Sequence, residues 1–280
     1  MPNILKTLIL STGLAALVCS TPVPLSQDPC AIIARASQNL TVQHVSDCYK
    51  SIEYNAVEAK ATLASLYTLY NDFWIFRDSA MTPNQALPFT NPPVNIISGL
   101  TKINQTAYTR DFDFHSDLTY LIKSLNDAHC TYMPNCYNSY LFKQPIGLYA
   151  PVVNGVQSVR VLMDFSGKKL QGCEVISIDG TDAFTHIQAW ADRNAGFSKD
   201  AGVRFNYALV SSVYIPLTQT WDYEYGAFAL RTTLPESNFI TYDLRCGAKE
   251  PGNGKIYSYQ APWTVIPAGK LPAFTDKASY

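Results

Sequence analysis

The chain has 280 residues, and its 21 basic and 22 acidic side chains give a formal net charge of −1. This balance excludes the strongly basic composition by which proteins bind nucleic acid or an acidic membrane surface. Hydrophobic residues make up 47% of the chain, which is ordinary for a globular protein that buries a core.

The first twenty residues have the pattern of a cleavable signal peptide. Lys6 precedes an apolar run from Leu8 to Val18, and the last three residues of the segment are small or modest in size. The run is too short to span the roughly 30 Å of hydrocarbon in a bilayer. We therefore expect residues 1–20 to be removed, and the mature chain to be secreted to the extracellular space without a membrane anchor.

Cysteines and glycosylation sequons fit the same destination. Cys19 is lost with the signal peptide, and an even number of cysteines in a secreted chain indicates disulfides. Many connectivities are open, and proximity in the sequence favours three pairs: Cys30–Cys48, Cys130–Cys136 and Cys173–Cys246. Asn39 and Asn104 each begin an Asn-x-Thr sequon, so both are predicted glycosylation sites.

The part of the chain before residue 145 is predicted to be helical. The clearest helix runs from Asn55 to Phe76, where apolar and aromatic residues, Phe73 among them, recur on one face that we interpret as core. Asn55 is a plausible N-cap, and Glu58 stands three residues later as in a capping box. Shorter helices are predicted at Val94–Lys102 and His115–Leu125.

From about Gly147 the hydrophobic period changes to two, which predicts strands. The predicted strands are 156–165, 173–178, 223–231 and 239–245. After the turn at Asp179 and Gly180, an amphipathic helix begins with Ala183 and Ile187 in register. The sequence therefore predicts an α+β fold, with a helical N-terminal region followed by a β-rich domain.

Common catalytic and ligand-binding signatures are absent from the sequence. It contains no G-x-S-x-G, no H-E-x-x-H, no P-loop and no G-x-G-x-x-G. There is no C-x-x-C, and the histidines are scattered along the chain, so no metal and no cofactor is expected.

His129 is the one residue whose local spacing indicates catalysis. It follows Asp127 and Ala128 just past a predicted helix end, where a side chain can be exposed. A Cys130–Cys136 cystine would hold its loop, and a general base needs a fixed ring with one free nitrogen. Because a lone histidine is more often structural or merely exposed, the spacing alone leaves both interpretations open.

Several weak motifs become more specific through their shared order. Four of them occur along the chain as Asp28-Pro29-Cys30, Cys48-Tyr49, Asp127-Ala128-His129 and Cys136-Tyr137. The segment from Gly172 to Gly180, followed by Ala183 and Ile187, is similar to the core pattern of PDZ domains. Over roughly residues 28–250 the chain resembles the tail-specific, or C-terminal-processing, serine peptidases. The resemblance is to the branch of chlamydial protease-like activity factor and tricorn protease, and within it to secreted fungal members.

The resemblance implies a domain organisation and a mechanism. Its four segments are a signal peptide (1–20), a helical N-terminal domain with the Asp-x-His element (21–144), a PDZ-like domain (145–250) and a C-terminal extension where the catalytic core would begin (251–280). In this family a serine attacks a protein or peptide substrate, a histidine is the general base, and a carboxylate supports the site. The matching histidine is His129.

The nucleophile is the point where this sequence departs from the family. The serine and the oxyanion-hole glycines should follow the PDZ-like part, but the Gly-Asn-Gly stretch at 252–254 contains no serine. We therefore expect a serine-type peptidase relative that is inactive alone and lacks its catalytic core. Two alternatives are a non-catalytic peptide-binding module, such as an inhibitor, decoy or host-interacting factor, and a cysteine-stabilised domain whose site has decayed.

Overall fold

A computed structural model describes residues 28–35, 39–82, 92–247, 251–252, 254–269 and 274–280; the predicted signal peptide lies outside these ranges. Most of the helices precede most of the strands, which confirms the predicted α+β class. The α-helices are α1 (Pro29–Arg35), α2 (Val42–Ser51), α3 (Ala56–Thr68), α4 (Arg77–Met81), α5 (Ile96–Gln105), α6 (Asp111–Lys123), α7 (Ala183–Asn194) and α8 (Ala201–Ala208). A π-helical turn (Leu69–Phe73) continues α3, and a 3-10 turn covers Asn135–Asn138.

The strands pair antiparallel throughout the described residues. They are β1 (Tyr140–Lys143), β2 (Ile146–Tyr149), β3 (Val152–Val153), β4 (Val156–Gln157), β5 (Arg160–Asp164), β6 (Glu174–Ile178), β7 (Thr181–Asp182), β8 (Ser211–Ile215), β9 (Thr220–Glu224), β10 (Leu230–Arg231), β11 (Phe239–Arg245), β12 (Ile256–Pro262) and β13 (Thr264–Pro267). The largest sheet has the order β12-β11-β6-β5-β2, with β7 beside β6. A second sheet has the order β10-β1-β13, and β3-β4 and β8-β9 form separate ribbons.

Strand β11 shows why this sequence forms the central sheet. Its residues alternate, so that Ile240, Tyr242 and Leu244 are buried on one face. In the ladder Tyr242 lies between Tyr259 of β12 and Ile178 of β6. The structure places β11 at the bounds predicted from the alternation of its residues.

Helix α3 begins as predicted but ends early. The side chain of Asn55 accepts hydrogen bonds from the backbone N–H groups of Val57 and Glu58. After Thr68 the chain forms the π-helical turn, and an i→i+5 turn moves the following residues off the apolar face. Phe73 is therefore 72% exposed, and its predicted place in the core is wrong.

Buried side chains form two hydrophobic clusters. The first contains residues of α1, α2, α7, α8 and the two larger sheets, and the second contains residues of α3, α5 and α6. The first two helices thus share a core with the sheets, and α2 also contacts α6 through Tyr49 and Phe112. The clusters do not follow the division at residues 144 and 145, which stays a prediction. Within 251–280, β12 and β13 extend the two larger sheets.

Two of the three favoured cysteine pairs are disulfides. Cys30–Cys48 joins α1 to α2, and Cys173–Cys246 joins the start of β6 to the end of β11. The pairing of Cys130 with Cys136 is wrong, because both are free thiols. The reason is their packing, since Cys130 lies against the second cluster and Cys136 against the first.

Candidate functional site

His129 lies in a short turn after α6, with its imidazole at the protein surface. Asn126 adopts a left-handed conformation with φ 52°, which a short polar side chain tolerates. Asp127 Oδ1 accepts a 2.9 Å hydrogen bond from the backbone N–H of His129, and its carbonyl accepts from Cys130 N–H at 3.0 Å. The His129 side chain is 97% exposed, and its Nδ1 lies 3.6 Å from Asp127 Oδ1. The backbone of the turn is therefore fixed while the ring faces solvent beside one carboxylate.

The loop that follows His129 is held to α6 by two tyrosines. The Tyr132 hydroxyl lies 2.6 Å from His115 Nδ1, and the Tyr137 hydroxyl donates to Asp111 Oδ2 at 2.8 Å. Asp111 and His115 are four residues apart on α6, with Nε2 of the ring 3.2 Å from the same carboxylate oxygen. These four side chains, which we call the α6 clamp, provide the anchoring that was predicted of a Cys130–Cys136 cystine.

The protonation states of Asp111 and Tyr132 suit the hydrogen bonds of the α6 clamp. Burial alone would raise the pKa of Asp111, but hydrogen bonds from His115 and Tyr137 outweigh burial and leave that pKa below its ordinary value. Burial also raises the pKa of Tyr132 to about 12, so this hydroxyl keeps its proton at neutral pH. Both nitrogens of His115 are engaged, which makes His115 a structural residue, in contrast to the exposed ring of His129.

A second group of functional side chains lies in a cleft of about 460 Å³. The main-chain elements that form it are α7, the segment from β10 to β11, and the β12–β13 junction. The cleft is lined by Tyr120, Asp179, Thr181, Thr185, His186, Ala189, Trp190, Arg193, Asn194, Phe228, Arg231, Thr233, Leu234, Pro235, Glu236, Ser237, Ile240 and Trp263. We call it the Arg231 cleft, and no sequence motif predicted it.

The guanidinium of Arg231 is surrounded by aromatic rings. Its central carbon lies 4.3 Å from the ring centre of Trp263, 5.3 Å from that of Trp190 and 5.5 Å from that of Phe228. Its Nε atom is buried and has no hydrogen-bond partner. Burial lowers the pKa of Arg231 to about 10, which leaves the group cationic at neutral pH.

The acidic side chains of the cleft contact groups other than Arg231. Asp179 accepts the backbone N–H of Thr241 at 2.8 Å, and the 94% exposed Glu236 lies 3.9 Å from Arg193. Among the described residues, no carboxylate forms an ion pair with Arg231. The cleft therefore contains a half-buried cation that has no ion-pair partner among the described residues.

The remaining predicted positions are placed as follows. Asn39 and Asn104 are both exposed, Asn39 in a left-handed conformation and Asn104 on α5. Within the described ranges, no three His, Cys, Asp or Glu side chains group closely enough to bind a metal ion. No helix in the same part of the chain combines the length and apolar character needed to cross a membrane.

Comparisons with known proteins find distant structural likeness alone. No protein-family model matches the chain, and no curated protein matches it. Mature CPAF, a chlamydial tail-specific-protease-like serine protease, aligns with a TM-score of 0.47 at 15% identity, covering 76% of this chain and 35% of CPAF. Mature CPAF complexed with lactacystin aligns with a TM-score of 0.46 at 12% identity and the same coverage. The chain spans about a third of the length of these proteins.

Proposed function

We propose that this chain is the N-terminal and PDZ-like part of a secreted serine-type peptidase of the tail-specific family, with His129 as general base. The observation that carries the proposal is the 97% exposed imidazole on a turn whose backbone is fixed by Asp127. The shared order of the Asp-x-His, cysteine and PDZ-like motifs supports the choice of family. Two disulfides fit the oxidising compartment that secretion implies.

The proposed role of His129 follows from its two ring nitrogens. Asp127 beside Nδ1 favours a proton on that atom, which leaves Nε2 free to accept a proton from a nucleophile hydroxyl. The hydroxyl must come within about 3 Å of Nε2 before it attacks a peptide carbonyl. No serine of this sequence matches the family's nucleophile, so we expect the chain alone to be inactive.

The PDZ-like assignment of residues 145–250 is part of the proposal. Strands β2, β5, β6 and β11 are neighbours in one antiparallel sheet. Helix α7 follows β7 and buries Ala183, Ile187 and Ala191 in the first cluster with that sheet. This arrangement offers a surface for peptides without any further catalytic group.

Active-site labelling tests the proposal. The transcript should be sequenced past the codon for Tyr280, and its longest product expressed with disulfides intact and treated with a fluorophosphonate. We expect labelling of a serine in that product, no labelling of the 280-residue chain, and loss of labelling in H129A at an unchanged melting temperature. Labelling of the 280-residue chain, or of H129A at the wild-type rate, would contradict the proposal.

A second candidate function is peptide binding without turnover. The specific observation that favours it is the Arg231 cleft, which combines aromatic walls with polar groups that have no protein partner. A transcript that ends at Tyr280 would favour this function over the first, because a chain without a nucleophile can still bind.

A further inference from the structure

We propose that the β8-β9 ribbon docks the protein on a membrane, by inserting its tip into the interface of a neutral phospholipid bilayer. The surface lies outside the His129 turn and the Arg231 cleft, and the proposal does not rest on the peptidase function. The contact is peripheral, because strands of five residues are too short to cross a bilayer.

The ribbon stands away from the rest of the fold. Within the described ranges its two strands pair with each other and with no other strand. All of its strand residues are exposed except the half-buried Ile215, and none of them belongs to either hydrophobic cluster. An isolated two-stranded hairpin is at best marginally stable in water, and exposed apolar patches mark interaction sites. The ribbon therefore indicates a partner surface.

The tip of the ribbon is the apolar end. Leu217 lies in the turn at 216–219 and is 93% exposed. Directly behind the turn, Tyr214 lies opposite Trp221 in the ladder, with ring centres 5.3 Å apart. Tryptophan and tyrosine rings favour the headgroup region of a bilayer, and an aliphatic side chain favours the hydrocarbon below it. The order of these residues therefore matches the polarity gradient of a membrane interface.

The charges of the ribbon lie nearer its base and are acidic. Asp222 and Glu224 are its charged residues, and 211–224 contains no Lys or Arg. Asp222 is three positions behind the last residue of the turn, Gln219, which corresponds to about 10 Å along a strand. Elements at a membrane interface are buried by about 5–10 Å, so the tip can insert while both carboxylates stay in water. Because anionic lipids repel carboxylates, this charge pattern favours a neutral lipid.

The distribution of apolar side chains favours lipid over a flat partner. Tyr214, Trp221 and Tyr223 share one face of the ribbon, while Val213 lies on the other face and Leu217 at the tip. A flat partner covers one face, whereas a bilayer surrounds an inserted hairpin. The rings of Tyr214 and Trp221 are also tilted by 55°, so they do not form the flat platform on which a sugar chain stacks.

Co-sedimentation with lipid vesicles tests the inference. The protein is purified as the secreted product, because the apolar run of an uncleaved leader would itself bind lipid. One set of vesicles is phosphatidylcholine alone, and the other also contains phosphatidylserine. We expect binding to both, with partition coefficients that agree within about twofold, because the ribbon has no cation to attract the anionic lipid. Lipid chains labelled with bromine should quench the fluorescence of the wild type and should not quench that of W221F.

Two exposed aliphatic residues provide the matched comparison. Val57 is exposed as Leu217 is, but it lies on α3. L217S should lower the partition coefficient for phosphatidylcholine at least about fivefold, because a hydroxyl gains nothing from leaving water. V57S should change it by less than about twofold, and circular dichroism melts should show both variants folded as the wild type is.

Four results would overturn the inference: no binding to either kind of vesicle, wild-type binding in L217S, equal losses in L217S and V57S, or binding that requires phosphatidylserine. Two measurements without lipid exclude other occupants. A dimer that L217S dissociates would assign the ribbon to a second copy of the chain, and retention on an insoluble polysaccharide that W221A abolishes would assign it to a sugar. None of these results bears on fluorophosphonate labelling.

Discussion

The His129 turn and the Arg231 cleft are opposite kinds of site. His129 is presented by four consecutive residues after one helix, and its ring is 97% exposed. Arg231 is enclosed by rings from distant parts of the chain, and part of its guanidinium is buried without a partner. The difference teaches that an accessible reactive group can come from local sequence, whereas a desolvated charge requires the whole fold. We expect variants to separate the two sites.

The largest expected effect concerns the cystine of the sheet that supports the Arg231 cleft. Cys173–Cys246 closes a loop with a sequence separation of 73 residues. Replacing both cysteines with Ala should lower the free energy of unfolding by about 2–5 kcal/mol, because the unfolded chain gains entropy. Urea unfolding measures this loss. The matched control is Cys130→Ala, a free thiol, and an equal loss there would contradict the account.

The next effect concerns the α6 clamp beside the His129 turn. Tyr137→Phe removes the hydroxyl that donates to Asp111, so we expect a loss of about 1–3 kcal/mol in the free energy of unfolding. Tyr223→Phe, on the exposed β8-β9 ribbon, should change it by less than about 0.5 kcal/mol. If both variants unfold at the same urea concentration, Tyr137 does not hold this loop.

The pH dependence of stability tests the contribution of Asp111 to the α6 clamp. The lowered pKa of Asp111 means that its contribution is fully present above the unfolded-state pKa of about 3.9 and is lost as pH falls through the folded pKa. We expect the wild type to lose stability more steeply below about pH 4 than Asp111→Asn does. Thermal melts between pH 2.5 and 6 give both curves, and parallel curves would show that Asp111 has no lowered pKa.

A smaller effect is expected from Arg231→Met. The change removes a half-buried cation without an ion-pair partner but keeps an unbranched side chain among the rings, so the free energy of unfolding should stay within about 1 kcal/mol of wild type. Urea unfolding measures the difference. A stability loss of several kcal/mol would make Arg231 a structural residue instead.

The smallest expected effect on stability is that of H129A. An exposed side chain away from any packing contributes less than about 0.5 kcal/mol, so the melting temperature should match that of the wild type. Circular dichroism melts check this expectation. A clearly lower melting temperature in H129A would show that this exposed ring contributes to the stability of the fold.

Sequence reasoning succeeded where the signal is local. The Asn55 cap and the alternation in Phe239–Arg245 depend on neighbouring residues, and both are as predicted. The position of His129 after a helix is similarly local, while its catalytic role stays a prediction. The π-helical turn after Thr68 was missed because the hydrophobic stripe continues through it.

The rest depends on pairings between distant residues. Tyr137 meets Asp111 across 26 positions, which the i,i+4 spacing of Asp111 and His115 does not reveal. The Arg231 cleft needs α7, β10 and the β12–β13 junction brought together, and no local period encodes that assembly. Cys130 and Cys136 are close in the sequence, but they remain free thiols because they pack against different hydrophobic clusters.

Fluorophosphonate labelling of the longest product of the transcript, compared between wild type, H129A and R231Q, tests the central claim most directly. The account predicts that H129A loses labelling, because the serine has no general base, while R231Q is labelled at the wild-type rate, because Arg231 takes no part in the proton transfer at the serine. Undiminished labelling of H129A would contradict the role of His129.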